Sequence, residues 1–244
     1  MKQMTHNFLT QLTTLPALFP VNYYLVQEKD GLMLIDTGLS MSRTNILQNI
    51  AATGLPLHSI VLTHAHGDHI GSLKAVRDAH PDAQICISAR ELELLKNPEP
   101  YAFEAQKPIK GSYPEKLPVN VDKVLQEGDM VGSLSVLETP GHTPGSISLF
   151  DNRSKMMIVG DALQTRGGLA VAGDTRLLFP FPTMGTWDLE TGIASAQKIL
   201  QYKPSALAPG HGRILPDPLP SLEKVIERAK RKVTIHPCER VAFY

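Results

Sequence analysis

The stretch "THAHGDH", residues 63–69, crowds three imidazoles and a carboxylate into a single turn. It begins within the end of "SIVLTH" (59–64), a short apolar, β-branched run with the pattern of a buried strand. The histidines therefore stand where a strand ends. Residues two apart in an extended strand end point the same way, so His64 and His66 can grip one divalent ion through neutral imidazole nitrogens. Asp68 and His69 lie just beyond, at the start of the next helix, and can reach a second ion. A polar turn with Asp68 capping a helix would account for one histidine, not for three.

The rest of the chain repeats this placement. Of nine histidines, five fall at or just after expected strand ends: His64, His66 and His69, then His142 after 134–139 and His211 after 205–208. Asp161 ends the strand 155–160 in the same way. In a layered α/β fold such residues converge on one edge, where sites are built. His6, His58, His80 and His236 lack this placement and read as surface or core residues.

Further out, "VNYYLVQ" (21–27) and "LMLID" (32–36) flank Asp30-Gly31 and predict a hairpin. Ser40 or Ser42 is expected to cap a helix running to about Ala52, closed by Gly54. Helices are also expected at 73–79, 89–97, 188–201 and 219–231, and strands at 83–88, 132–140, 145–151, 155–161 and 205–208. The segment 98–118, rich in Pro and charge, reads as an insertion or lid rather than core, and 164–185 as irregular. No linker-like break in composition appears, so a single domain over 1–244 of α/β class is expected.

Composition narrows the function classes. Lys+Arg and Asp+Glu both number 24, which removes the electrostatic footprint of a nucleic-acid binder. No apolar run approaches the roughly 18 residues of a membrane span, and the first residues lack the apolar core of a signal peptide. A cytoplasmic, soluble protein with Cys86 and Cys238 as free thiols is expected, acting on a small molecule without nucleic acid or membrane. The oligomeric state is left open.

Taken with "PGHTPGS" (140–146), "GDAL" (160–163), "PGHG" (209–212) and "LIDTG" (34–38), the motif resembles the metallo-β-lactamase-fold hydrolases. The resemblance implies a four-layered αβ/βα sandwich, two mixed β-sheets face to face with helices outside. It implies that His64, His66 and His142 hold a first metal ion, that Asp68, His69 and His211 hold a second, and that Asp161 bridges both. Zinc is the first expectation, and iron or manganese suit the same donors. Asp36 is then expected either to orient a ligand or to form an Asx-turn before Gly38. Thr143 and Ser146 are expected to shape the turn after His142.

Two cations about 3.5–4 Å apart that share a water lower its pKa enough to supply hydroxide near neutral pH. On this reading the protein is a dinuclear metal-dependent hydrolase whose nucleophile is the bridging hydroxide, with Asp68 as the catalytic carboxylate that orients it and passes on a proton. True β-lactamases of the fold are exported and lack a bridging carboxylate, so Asp161 points instead to thioesterase, lactonase and phosphoesterase branches. The stretch Gly212–Tyr244 is short for the glutathione-binding domain of glyoxalase II-like enzymes. Ala162-Leu163-Gln164-Thr165 stands where lactonases of the fold carry a tyrosine. A small ester, thioester or lactone is therefore expected; a mononuclear iron oxygenase acting on a sulfur compound is the alternative. Segments 98–118 and 164–187 are expected to wall the pocket. Within the second, Leu177, Leu178, Phe179, Phe181, Met184 and Trp187 are expected either to line an apolar cleft or to pack the loop on its own side chains, and Arg166 and Arg176 either to meet a substrate anion or, more commonly in an irregular segment, to be solvated.

Overall fold

The computed structural model describes residues 2–235. Its first sheet runs in chain order from edge to edge: β1 (Lys2–His6), β2 (Leu9–Thr14), β3 (Val21–Gln27), β4 (Leu32–Ile35), β5 (Leu57–Val61), β6 (Gln84–Ser88) and β7 (Lys123–Leu125). The first four pair antiparallel; β4 to β7 pair parallel. The second sheet draws on β8 (Met130–Val131), β9 (Leu134–Glu138), β10 (Ile147–Asp151) and β11 (Met156–Gly160). A small separate hairpin follows, β12 (Leu163–Gln164) and β13 (Ala170–Val171), before β14 (Ala206–Pro209) and β15 (Leu215–Pro216) complete the second sheet in the order β15-β14-β11-β10-β9-β8. Its β11–β14 pair is parallel and the others antiparallel, so both sheets are mixed.

Alternation along the strands builds the layers, because successive side chains leave a strand on opposite faces. Tyr24, Val26, Met33, Ile35 and Val61 pack against Val136, Leu149, Met156 and Ile158 in a core between the sheets. Their neighbours Tyr23, Leu25, Leu32, Leu34 and Ile60 turn outward, onto Ile46 and Ile50 of α1 (Arg43–Thr53). A short α2 (Gly67–Ile70) leads into α3 (Leu73–Ala79), whose Leu73 and Val76 join the same outer cluster. The helices α4 (Ala89–Lys96), α5 (Glu99–Glu104) and α6 (Phe181–Gly185) follow. On the other side, Met157, Val159 and Leu207 meet Ile193, Ala196 and Ile199 of α7 (Leu189–Gln201) and Leu222 and Val225 of α8 (Leu219–Ile235). Three apolar clusters between four layers make the αβ/βα sandwich that the resemblance implied.

Several boundaries follow the sequence reading. Gly54 closes α1 in the left-handed region at φ 69°, and Asp188 caps α7 by accepting from the Thr191 N–H at 2.8 Å. Ser42 precedes α1, but its Oγ bonds Thr14 Oγ1 at 2.7 Å instead of capping. Two readings need correction. The hairpin β1–β2 was not anticipated; its turn uses Asn7 at φ 52°, a conformation asparagine tolerates. Residues 98–118 are mostly exposed or half-buried, as an insertion or lid would be, but the segment is anchored on the core, since Tyr101 is buried and Tyr113 and Leu117 pack against the α1 side of the first sheet. Cys86 is a buried free thiol that burial pushes up to about 11, an inert core residue. His236 and Cys238 lie outside the described residues. Among the described residues no helix is long and apolar enough to cross a membrane.

Candidate metal centre

Five strands deliver side chains to one edge of the sandwich. Asp36 follows β4, the 63–69 turn follows β5, His142 follows β9, Asp161 follows β11 and His211 follows β14. All seven residues read from the sequence as ligands meet there. His64, His66 and His142 form one donor group, and Asp68, His69 and His211 another; within each group the donor atoms lie within 4.8 Å of one another. The carboxylate of Asp161 stands between the two. Its Oδ2 is 3.4 Å from His142 Nε2 and 3.1 Å from His211 Nε2, and its Oδ1 is 3.5 Å from His69 Nε2. The five imidazoles and Asp161 are buried, and Asp68 alone is part-exposed.

Hydrogen bonds behind the rings fix which nitrogen faces inward. Thr63 Oγ1 donates to Asp36 Oδ2 at 2.7 Å, so its oxygen accepts from His64 Nδ1–H at 3.0 Å. His69 Nδ1–H donates to the same Asp36 Oδ2 at 2.8 Å. Thr186 Oγ1 gives its proton to the Pro182 carbonyl and accepts from His142 Nδ1–H at 3.0 Å. Backbone carbonyls take the last two, Lys110 from His66 Nε2–H at 3.0 Å and Pro20 from His211 Nδ1–H at 2.7 Å. Each ring is left with one nitrogen that takes no part behind it, and all five of these converge. Bare His66 Nδ1 and His142 Nε2 lie 3.0 Å apart, a repulsive pairing unless a cation lies between them. His64 Nε2, His69 Nε2 and Asp161 Oδ1 are buried with no hydrogen-bond partner. Buried polar atoms are rarely left so, and a metal ion is the group that these donors fit.

The charges agree. Burial holds His142 down to about 3, and also lowers His64 and His66, so these rings stay neutral. Burial would lower His69 too, but Asp161, Asp68 and Asp36 push it up to about 10. His211 is raised by Asp161 against its own burial, and Asp161 is held well below the usual carboxylate range by His211, His69 and His142 despite burial. At pH 7 the metal-free protein therefore carries a proton on His69 that an incoming ion must displace. Loading zinc at pH 7 is expected to release about one proton per chain or more, and affinity at the second donor group should rise about tenfold per pH unit below about 10. Calorimetry in buffers of different protonation enthalpy reads this directly. Zinc uptake with no proton released would remove His69 from the ligand set.

A sequence profile of the metallo-beta-lactamase superfamily matches residues 16–211, a span that holds every one of these donors. The chain belongs to the metallo-beta-lactamase superfamily. It is 45% identical to the uncharacterized protein YobT of Bacillus subtilis (strain 168), over 91% of this chain and 95% of that one. It is 31% identical to the probable metallo-hydrolase YflN of the same organism, over 78% of this chain and 80% of that one. A hydroxyacylglutathione hydrolase of Aeromonas hydrophila is 28% identical over 63% of this chain and 51% of that enzyme. Among solved structures, TTHA1623 in a di-iron-bound form superposes with a TM-score of 0.64 at 29% identity, covering 86% of this chain and 96% of that one.

Within this metallo-beta-lactamase fold, one supporting residue decides between two expectations and others escaped the sequence reading. Asp36 orients a ligand rather than forming the Asx-turn, since both its oxygens are engaged by Thr63 and His69. Glu91 carried no sequence signal as a site residue. It is fully buried, and it ties together two ligand-bearing loops by accepting from Ala65 N at 2.8 Å, Thr143 Oγ1 at 2.7 Å and Gly145 N at 3.2 Å. The Ser88-x-x-Glu91 spacing reads as a capping box, and Ser88 does cap α4, which disguises the carboxylate. Gly210 has no room for a side chain, because a Cβ there would overlap Asp161 Oδ1 and His69 Cε1.

A cavity of about 520 Å³ opens over the donors, and its apolar wall is Phe19, Leu39, Phe181, Pro182 and Met184. The cleft residues read from the sequence divide. Phe181 and Met184 line it, while Phe179 is buried behind, its ring 5.4 Å from that of His211. Leu177 and Leu178 are almost fully exposed and do not line this cavity. Trp187 is buried beside a different, smaller cavity with Lys107 and Asp188, so it is not a wall of this one. Arg166 and Arg176 are not simply solvated; both donate to backbone carbonyls, of Ala17 and Leu169.

Proposed function

We propose that the protein is a dinuclear metal-dependent hydrolase of small, uncharged acyl compounds: esters, thioesters or lactones. The observation that carries the reading is the Asp161 carboxylate, within 3.5 Å of nitrogens from both donor groups. His64, His66 and His142 would hold one ion, Asp68, His69 and His211 the other, with Asp161 shared. When bound, such a pair supplies a nucleophilic hydroxide near neutral pH and a Lewis acid for the acyl oxygen. The chain's own residues do the rest. Asp68 is part-exposed at the cavity floor, its Oδ2 3.5 Å from His211 Nε2, where it can hold a proton and pass it to the leaving group. Phe19 and Leu39 exclude water from one side, and Phe181 and Met184 offer an apolar rim to the acyl chain.

Among the described residues no Lys or Arg lines this cavity, which favours substrates without a carboxylate near the scissile bond. The hydroxyacylglutathione hydrolase relative supports a thioester within that class. A complete second donor group favours hydrolysis over a mononuclear iron oxygenase. The di-iron form of TTHA1623 keeps iron beside zinc and manganese as a suitable ion.

The test is an acyl-chain series of activated esters and thioesters, run beside a chromogenic β-lactam on zinc-, manganese- and iron-loaded protein. Acyl substrates should exceed the lactam in kcat/KM by at least about tenfold, and Phe181→Ala should raise KM for octanoyl about fivefold more than for acetyl, about 1 kcal/mol of lost apolar burial. A faster lactam rate, or oxygen consumption with a persulfide in place of hydrolysis, would reject the proposal.

A further inference from the structure

We infer that a second cavity, sharing no lining residue with the cavity over the metal centre, binds a small organic anion that has an apolar body and a hydrogen-bond donor beside its charged head. The inference does not depend on the hydrolase reading. The cavity measures about 660 Å³, within the range of small-molecule sites. Its floor is one face of the β1–β2 hairpin, where the register pairs Lys2 with Thr13 and Met4 with Gln11 and so turns all four the same way. Its walls come from the segments around Ala17, Arg166 and Arg213.

Charge sets the class of ligand. Lys2, Arg166 and Arg213 all line the cavity, no Asp or Glu does, and none of the three forms an ion pair among the described residues. Three unneutralised cations around one concavity raise the local concentration of anions, and guanidinium groups match the geometry of carboxylate and phosphate oxygens. None of the three belongs to either donor group, so the metal centre does not account for them.

Gln11 adds an independent observation. It is 3% exposed, and its Nε2 donates to the Gly212 carbonyl at 2.9 Å, which fixes the amide. Its Oε1 is left without a donor. A buried acceptor without a partner is costly, and a hydroxyl or N–H on the ligand would satisfy it. Met4, Pro16, Ile214 and Leu215 supply the apolar surface for the body. Carboxylate and phosphate heads share this chemistry.

The experiment is calorimetric titration of the full-length, zinc-loaded protein with octanoate, 2-hydroxyoctanoate, octyl phosphate and, as the uncharged control, 2-octanol. At least one anion should bind, one per chain and at least about tenfold tighter than 2-octanol. The order of octanoate and octyl phosphate identifies the head, and a preference for 2-hydroxyoctanoate over octanoate reports Gln11. The double variant Lys2→Gln/Arg213→Gln should weaken the anion at least about tenfold, with ester turnover and melting temperature unchanged. Arg166→Gln provides an independent variant with the same expected loss. Metal ions also attract anions, so the titrations are repeated on His66→Ala, where binding in this cavity should persist. No anion binding tighter than 2-octanol, affinity unmoved by either set of cation variants, or binding that vanishes in His66→Ala would each overturn the inference.

Discussion

Asp161→Asn protein should retain about one of two ions and lose at least about a thousandfold in kcat on an activated ester, while remaining folded. The amide has the same shape but no charge to share between two cations. It also brings an N–H₂ group into a site where Asp161 Oδ2 now lies 3.1 Å from His211 Nε2 and 3.4 Å from His142 Nε2. A donor there would occupy a bare nitrogen that an ion needs. The buried carboxylate is also the largest influence raising His69 and His211, so its loss should let both rings fall toward neutrality. Less proton release on zinc loading should then accompany the lost ion. Elemental analysis, circular dichroism and initial rates on one preparation decide the matter. Two ions and a rate within about threefold of wild type would mean that Asp161 does not bridge.

Glu91→Ala is expected to be the most damaging change outside the donor set. It deletes a fully buried carboxylate and strands the Ala65 and Gly145 N–H groups, while the Thr143 hydroxyl keeps only Ser146 Oγ, 2.7 Å away. Unsatisfied buried donors cost about 1–3 kcal/mol each, so a loss of about 3 kcal/mol or more is expected. Ala65 separates His64 from His66, and Thr143 follows His142, so zinc affinity at the first donor group should fall about 10- to 100-fold. Glu91→Gln separates shape from charge. Burial, opposed by Thr143, Ala65 and Gly145, pushes Glu91 up to about 7 from the usual 4.5. The folded state then holds this proton more tightly than the unfolded chain. The resulting stabilisation is full below about pH 4.5 and is lost as pH rises through about 7. With metal removed by chelator, the stability of wild type relative to Glu91→Gln should therefore decline across that window. A flat difference in urea unfolding would show that Glu91 titrates at its ordinary value.

What the sequence disclosed and what it hid follow a physical division. The converging donor residues were legible because imidazoles and carboxylates at strand ends have few other uses, and one turn concentrated four of them. The layers came from the family resemblance, whereas the strands themselves were legible, because short runs such as "LMLI" and "MMIVG" are continuously apolar and the structure covers both on each face. Glu91 was hidden because the same residue type three positions after a serine has an ordinary local explanation. Trp187 misled for the opposite reason. An aromatic next to a site segment suggests a wall, yet its backbone N–H is held by the His142 carbonyl at 2.9 Å and its ring is buried beside Lys107 and Asp188. Distance along the chain hid Lys110 and Pro20, whose contributions are carbonyl oxygens that no side-chain pattern announces.

Those two carbonyls make the site sensitive to loop length where it is indifferent to spelling. His66 and His211 are each steered by an oxygen that every amino acid possesses, at positions 110 and 20. A saturation scan of Lys110 would find most substitutions silent and would score the position as dispensable. Gly111 beside it is different, because φ is +99° there and a Cβ would collide with the His66 ring. Removing one residue between Gln106 and Lys110 would pull the oxygen away from His66 without altering any ligand. For anyone grafting a new substrate preference onto this scaffold, these loops can, Gly111 apart, be rewritten letter by letter but not trimmed.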